Sequence, residues 1–84
     1  MKPVRLTKHA QSYLARRGFT IEEVEKTIRE SRWQPAELGR LECEMEFAFG
    51  KEWNGRRYDH KRVRPVFVEE ASEIVVVTVY VFYY

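Results

Sequence analysis

The spacing of the apolar residues changes near residue 40, and this change constrains the fold more than any other feature of the chain. Before that point Ile21, Val24 and Ile28 recur at i, i+3 and i+7, which is the spacing of an amphipathic helix. From residue 41 to residue 49 every second residue is apolar, as in a half-buried strand. The sequence therefore predicts an α+β fold with its helices before its strands.

Two helices joined by a tight corner are predicted before residue 32. The first covers residues 8–17 and ends at Gly18, a residue that favours a helix C-terminus. The second begins at Thr20, which forms a capping-box pattern with Glu23, and ends near Ser31. We expect these two helices to form a hairpin.

Three strands are predicted after a loop at residues 33–39, and residues 4–6 add a short opening strand or an extended lead-in. The strands cover residues 40–49, 58–68 and 74–84. The last is apolar on both faces, which predicts a central, covered strand. The expected architecture is a two-helix hairpin packed on a three- to four-stranded antiparallel sheet, in the order (β)ααβββ.

Two local residue patterns refine the sheet. Asn54 and Gly55 predict a tight primed turn between the first two long strands. Pro65 lacks an N–H group, which disfavours a central place for its strand unless a bulge or a free edge occurs there.

Composition limits the class of protein. A chain of 84 residues with 44% hydrophobic residues predicts one domain over residues 1–84. A single cysteine, Cys43, excludes an internal disulfide framework and a cysteine-based zinc site. No apolar segment follows the basic N-terminus and none approaches the about 20 residues of a membrane span. We expect a cytoplasmic protein without a membrane partner.

Charge is distributed in blocks although the net charge is only +2. Residues 1–17 carry five bases and no acid, and residues 51–64 carry six bases against two acids. Between them, residues 18–49 hold eight acids and four bases. The two basic segments either form a surface that attracts phosphate or pair with the acidic segment.

Three short motifs are found in the predicted elements: His9-Ala10 in the first helix, residues 17–20 at the corner, and residues 74–80 in the last strand. Together with the element order they resemble the RelE/ParE-like toxin superfamily, and more narrowly small bacterial proteins close to the BrnT toxins. The resemblance spans nearly the whole chain and implies a single RelE-like domain. Tyr13 stands where such proteins commonly have an arginine.

The resemblance also implies a function. It indicates a toxin directed at RNA, including mRNA on the ribosome, that is typically a metal-independent ribonuclease and is neutralised by a small antitoxin protein. Two histidines without suitably spaced acidic neighbours make a poor metal site, so neither a metal nor another cofactor is expected.

His9 is the first candidate catalytic residue. On a helix His9, Tyr13 and Arg16 share one face, with Arg17 beside them. Metal-free cleavage of RNA needs a base, an acid and cations near the phosphate, roles that histidine and arginine fill. The alternative is that His9 caps or packs the start of its helix.

The second candidate group lies in the basic segment after the predicted turn. His60 is a candidate acid or base, and the candidate nucleic-acid contacts are Arg56, Arg57 and Lys61, with Lys8 from the first helix. Arg62 and Arg64 are instead expected to pair with glutamates at positions 42, 44 and 46 of the neighbouring strand.

Tyrosines near the C-terminus are the third group. The resemblance implies that Tyr80 joins the basic residues at the active site, although its strand position suits the core equally well. Tyr83 and Tyr84 are candidates for a partner surface.

Two functions remain open on these residues. The first is an RNA-directed toxin acting through His9, Arg16 or Arg17, His60 and Lys61. The alternative is a non-catalytic interaction module that forms a homodimer through its apolar C-terminal strand.

Overall fold

The computed structural model describes residues 2–84 and contains three α-helices and six β-strands. The helices are α1 (Lys8–Ser12), α2 (Leu14–Arg17) and α3 (Ile21–Glu30), and the strands are β1 (Val4–Leu6), β2 (Gln34–Pro35), β3 (Leu41–Glu42), β4 (Met45–Trp53), β5 (Arg56–Glu69) and β6 (Ile74–Tyr83). A short 3-10 turn, Glu37–Gly39, connects β2 to β3. The α+β class is confirmed, whereas the predicted number of helices and strands is too small.

The six strands form one mixed sheet with β5 at its centre. β6 pairs with one side of β5, while β3 and β4 pair in succession with the other side, all antiparallel. β1 pairs parallel with β6, from Val4 opposite Ile74 to Leu6 opposite Val76. The predicted fully antiparallel sheet is therefore wrong at this edge, because β1 is an opening strand that pairs far along the chain.

The first predicted helix is divided in two at Tyr13. Its N–H donates to the Ala10 carbonyl at 3.2 Å, and α2 then begins at Leu14. The segment has a thin apolar stripe, with Ala10 as the one fully buried residue of α1 and none in α2. Because helices in proteins are stabilised mainly by packing of an apolar face, little opposes this break.

The second predicted helix is confirmed as α3. Thr20 and Glu23 form the reciprocal bonds of a capping box, at 2.9 and 3.1 Å. Gly18 adopts the left-handed conformation (φ 76°) that ends α2 and turns the chain toward α3. The predicted corner is therefore present, between α2 and α3.

Pro65 explains why the predicted strand at residues 40–49 is two strands, β3 and β4. Cys43 donates its N–H to the Pro65 carbonyl at 3.4 Å, but Pro65 has no N–H to return. The ladder is interrupted at residues 43–44 and resumes at Met45 opposite Val63. Pro65 is nevertheless central and buried, opposite Val79 of β6.

The helices cover one face of the sheet and leave the other face open. The buried core joins Phe19, Val24 and Ile28 to Phe67 and Val79 of the central strands. On the opposite face, called the open face below, β6 presents Tyr80 and Phe82 partly exposed. The prediction that β6 is covered on both faces is wrong for this half of the strand. In residues 2–84 the longest helix has ten residues, and none is long and apolar enough to cross a lipid bilayer.

Candidate functional site

Tyr13 gathers the candidate residues of the first helical segment. The His9 ring meets the Tyr13 ring edge-on, with centroids 5.0 Å apart. The guanidinium carbons of Arg16 and Arg17 lie 5.1 and 3.8 Å from the Tyr13 centroid. The predicted shared face therefore persists across the break between α1 and α2, with an aromatic ring at its centre.

Arg17 links this cluster to the edge of β6. Its Nη1 donates to the Val79 carbonyl at 2.8 Å and lies 3.5 Å from the Thr78 hydroxyl. Its guanidinium carbon is also 5.3 Å from the Tyr80 centroid. Arg17 is thus held between two tyrosine rings at the point where β6 no longer has β1 as a neighbour.

A groove runs beside these residues and is called the β6 groove below. One part, about 470 Å³, lies between the start of α1 and β6; it is lined by Thr7, His9, Arg40, Val77, Thr78 and Tyr80. The adjoining part, about 320 Å³, lies on the open face; it is lined by Ala36, Glu37, Leu38, Arg40, Glu42, Val66, Thr78 and Tyr80. Arg40, Thr78 and Tyr80 line both parts, so the two parts adjoin along these residues.

Arg40 is the groove residue that sequence reasoning missed. It follows two residues with positive φ, Leu38 at 60° and Gly39 at 70°, which turn the loop back toward the sheet. The Ala36 N–H donates to the Arg40 carbonyl at 2.8 Å and closes this turn. A glycine followed by a basic residue is too common in loops to indicate a functional site. Only the tertiary fold brings Arg40 to β6.

His60 lies apart from the groove. Arg64 is the residue of β5 opposite Tyr80, and His60 is four positions further along the strand, about 13 Å away at the rise of a β-strand. Its Nδ1 lies 3.5 Å from a Glu46 carboxylate oxygen, and its ring stacks on Tyr84 at 5.2 Å. The structure therefore does not bring the two histidines together.

Lys61 points into the fold, with 5% of its surface exposed. Its Nζ lies 2.8 Å from Oε1 of Glu23 and also donates to the Gly18 carbonyl. This cation holds the corner between α2 and α3 against β5, which leaves little of it for contact with a ligand.

The other predicted nucleic-acid contacts are exposed. Arg56 and Arg57 lie at the tip of the β4–β5 hairpin, next to the confirmed Asn54–Gly55 turn with its φ values of 53° and 80°. Lys8 is the exposed first residue of α1. Among residues 2–84 none of these three cations forms an ion pair with a carboxylate.

The expected pairing of the β5 arginines is confirmed. Arg64 Nη2 lies 2.8 Å from Glu44, and Arg62 Nε lies 3.4 Å from the same carboxylate. These two arginines are therefore partly neutralised, whereas Arg40 forms no ion pair with a carboxylate within residues 2–84.

Two groups within the fold whose pKa values are raised, Tyr83 and Cys43, lie outside the groove. Burial, with a smaller contribution from Glu23, raises the pKa of Tyr83 to about 12, and its hydroxyl donates to the Arg17 carbonyl at 2.7 Å. Burial, with the nearby Glu42 and Glu44 charges, raises the pKa of the Cys43 thiol to about 12. Both groups are neutral near pH 7 and belong to the packing of the sheet.

No protein-family model, curated protein or solved structure matches the chain. In the part of the chain that the structure describes, histidine, cysteine, aspartate and glutamate side chains form no cluster of three that could hold a metal ion. The chemistry of the groove is therefore argued from its own residues, which are the His9 imidazole, the Arg40 guanidinium, the Tyr80 phenol and the carboxylates of Glu37 and Glu42, with Arg17 beside them against the Tyr80 ring.

Proposed function

We propose that the β6 groove binds RNA and that the chain is the toxin of a type II toxin–antitoxin pair, acting by metal-independent RNA cleavage or by inhibition of translation. The observation that carries this proposal is the convergence of three segments. His9 from α1, Arg40 from the loop before β3 and Tyr80 from β6 line one groove, and Arg17 from α2 lies beside it, against the Tyr80 ring. The resemblance to RelE/ParE-like and BrnT-like toxins supports the same function, and a small antitoxin protein is the expected partner.

The groove residues, with Arg17 beside them, match the needs of RNA cleavage. Arg40 and Arg17 hold the phosphate and stabilise the charge that develops on it. His9 accepts the proton of the 2′-hydroxyl, whose oxygen attacks phosphorus as the bond to the 5′-oxygen breaks. The Tyr80 hydroxyl donates a proton to that leaving oxygen. The products are a 2′,3′-cyclic phosphate and a free 5′-hydroxyl.

Growth after controlled induction in bacteria tests this proposal. We expect arrest by the wild-type chain and no arrest by His9→Ala or Arg40→Ala, because both residues line the groove. His60→Ala is the matched control, since it removes the other histidine, which lies outside the groove, and it should still arrest growth. If the His9→Ala and Arg40→Ala chains are folded and soluble and still arrest growth like the wild type, the groove is not the active site. If folded wild-type protein does not arrest growth, the proposal that the chain is a toxin is wrong.

The edge of β6 favours a second candidate, a non-catalytic module that forms homodimers. β1 pairs with Ile74 to Val76 only, so within residues 2–84 the rest of β6 has no strand partner on that side. Unpaired backbone groups at an edge are a template for another strand. Sedimentation equilibrium distinguishes this candidate, because it requires dimers whose formation does not depend on RNA.

A further inference from the structure

The open face carries three exposed aromatic rings in a line, called the aromatic row below. Tyr80, Phe82 and Tyr84 are 44%, 43% and 45% exposed. Tyr84 continues the ladder beyond β6, because it exchanges N–H to carbonyl bonds with His60 at 2.8 and 3.1 Å. Alternate residues of a strand are about 6.7 Å apart, so the three rings are evenly spaced on one face.

Each ring of the row has an arginine beside it. The guanidinium carbons of Arg17, Arg64 and Arg62 lie 5.3, 5.1 and 5.3 Å from the centroids of Tyr80, Phe82 and Tyr84 respectively. Glu44 pairs with both Arg62 and Arg64 from the β4 side of the open face and holds them in place. The face therefore presents a repeated unit, an exposed ring with a fixed planar cation.

We propose that the aromatic row binds successive bases of single-stranded RNA that enters the β6 groove. This inference rests on the proposed function, because the first ring of the row, Tyr80, also lines the groove. Aromatic rings and guanidinium planes are the surfaces on which proteins stack unpaired bases. The spacing of the row is about twice the 3.4 Å per nucleotide of a helical strand, so an extended strand places one base on each ring.

Charge gives the bound strand its position across the face. Glu44 and Glu46 line the β4 side of the open face, and their carboxylates repel phosphates there. Arg17 reaches the opposite side of the row at the β6 edge, and Arg40 stands at its groove end. The RNA backbone therefore follows the β6 edge, with its bases turned inward over the rings.

A protein partner is the other occupant of an exposed aromatic face, and the surroundings favour RNA over it. The centre of a protein–protein interface is depleted of charged groups, with arginine as the exception. Here the rings stand among carboxylates as well as guanidinium groups, and the Tyr84 hydroxyl donates to Glu46. Such a polar face desolvates poorly against protein, while the exposed part of each ring, more than two fifths of each residue, can still meet a base.

Binding of labelled RNA, measured by fluorescence anisotropy, tests the row. The probe is a single strand of about six nucleotides, compared with a duplex of the same sequence. The test variant is Phe82→Leu combined with Tyr84→Leu, which keeps apolar bulk and removes both rings. Ile21→Leu, on the exposed side of α3 and away from the open face, is the control. Phe82→Tyr changes the same position but keeps an aromatic ring, so it shows whether a loss of binding comes from the missing ring or from disturbance of the fold.

We expect the double variant to bind the single strand weaker by on the order of tenfold per ring, with Phe82→Tyr and Ile21→Leu close to wild type. Equal affinity of the wild type and the double variant would overturn the proposal that the row binds RNA. If Arg40→Ala nevertheless lost binding, the groove would remain the RNA-binding site. Preference of the wild type for the duplex, or no RNA binding by it, would also overturn the row. A changed sedimentation mass of the double variant with unchanged RNA affinity would assign the face to a protein partner. Growth arrest reports separately on the toxin, so a failure of the aromatic row can be distinguished from a failure of the proposed function.

Discussion

At the scale of single residues, Lys61 shows how a local pattern misleads. It belongs to a run of basic residues that suggests a free cationic surface, yet it alternates with Val63 and Pro65 on the side of β5 that faces the helices. Its partner Glu23 is on α3, where the same carboxylate also accepts the Thr20 N–H of the capping box. One carboxylate thus joins the start of α3 to the central strand.

Replacement of Lys61 by methionine should destabilise the fold by at least about 2 kcal/mol, because it leaves Glu23 and the Gly18 carbonyl without their shared partner. Urea denaturation followed by circular dichroism measures the change. Lys26→Met is the matched control, since its ion pair with Glu30 is exposed and contributes at most about 0.5 kcal/mol. Equal effects of the two substitutions would show that the buried pair has no special role in stability.

At the scale of elements, the corner between α2 and α3 is packed more tightly than a connecting turn requires. Gly18 has positive φ, and an added Cβ would lie 2.6 Å from the Trp53 ring and closer still to the Tyr83 hydroxyl. Trp53 stacks on Tyr83 with centroids 4.9 Å apart. The corner therefore rests on aromatic side chains from β4 and β6, and glycine is needed for space as well as for conformation.

Gly18→Ala should therefore cost more stability than a similar change at an open turn. Gly55→Ala provides the comparison, because Gly55 also has positive φ (80°) but an added Cβ there meets no atom within 4 Å. We expect roughly 1–2 kcal/mol at Gly55 from backbone strain, and roughly 1–3 kcal/mol more at Gly18 from displacement of the rings. Thermal unfolding of both variants checks this difference. Equal losses would mean that the rings shift without cost.

Features that depend on neighbouring residues could be predicted from the sequence, and features that depend on distant pairing could not. The capping box at Thr20, the Gly18 corner and the Asn54–Gly55 turn are local, and all three are present. The parallel pairing of β1 with β6 and the approach of Arg40 to Tyr80 are set by contacts across the sheet. For the same reason helical spacing predicted the cluster of His9 with Arg16, but not its separation from His60.

At the scale of the whole molecule, the cations divide into paired and unpaired sets. Of the fifteen lysines and arginines, seven form ion pairs with carboxylates among residues 2–84. Most of the others fall into two groups. One is near the β6 groove (Lys8, Arg16, Arg17, Arg40) and one is at the tip of the β4–β5 hairpin (Lys51, Arg56, Arg57). The tip is eight residues along β5 from the position opposite Tyr80, about 26 Å away.

This division predicts the salt dependence of RNA binding. If a long single strand reaches the hairpin tip, Arg56→Ala combined with Arg57→Ala should reduce the slope of log affinity against log salt by up to about 1.4, since each neutralised phosphate contributes about 0.7. A salt titration of the anisotropy measures the slope. Lys26→Ala with Arg29→Ala, which removes two cations already paired along α3, should leave it unchanged. An unchanged slope in the tip variant would confine RNA to the groove and the open face.

The parallel pairing of β1 with β6 has a consequence for synthesis of the chain. His9 and Tyr80, which meet at the groove, are 71 positions apart in the sequence. The helices leave the ribosome before the strands that they cover, and β6 emerges after β1 to β5. A chain synthesised only as far as β5 therefore has no groove, and any activity of the groove begins only after the ribosome has made β6.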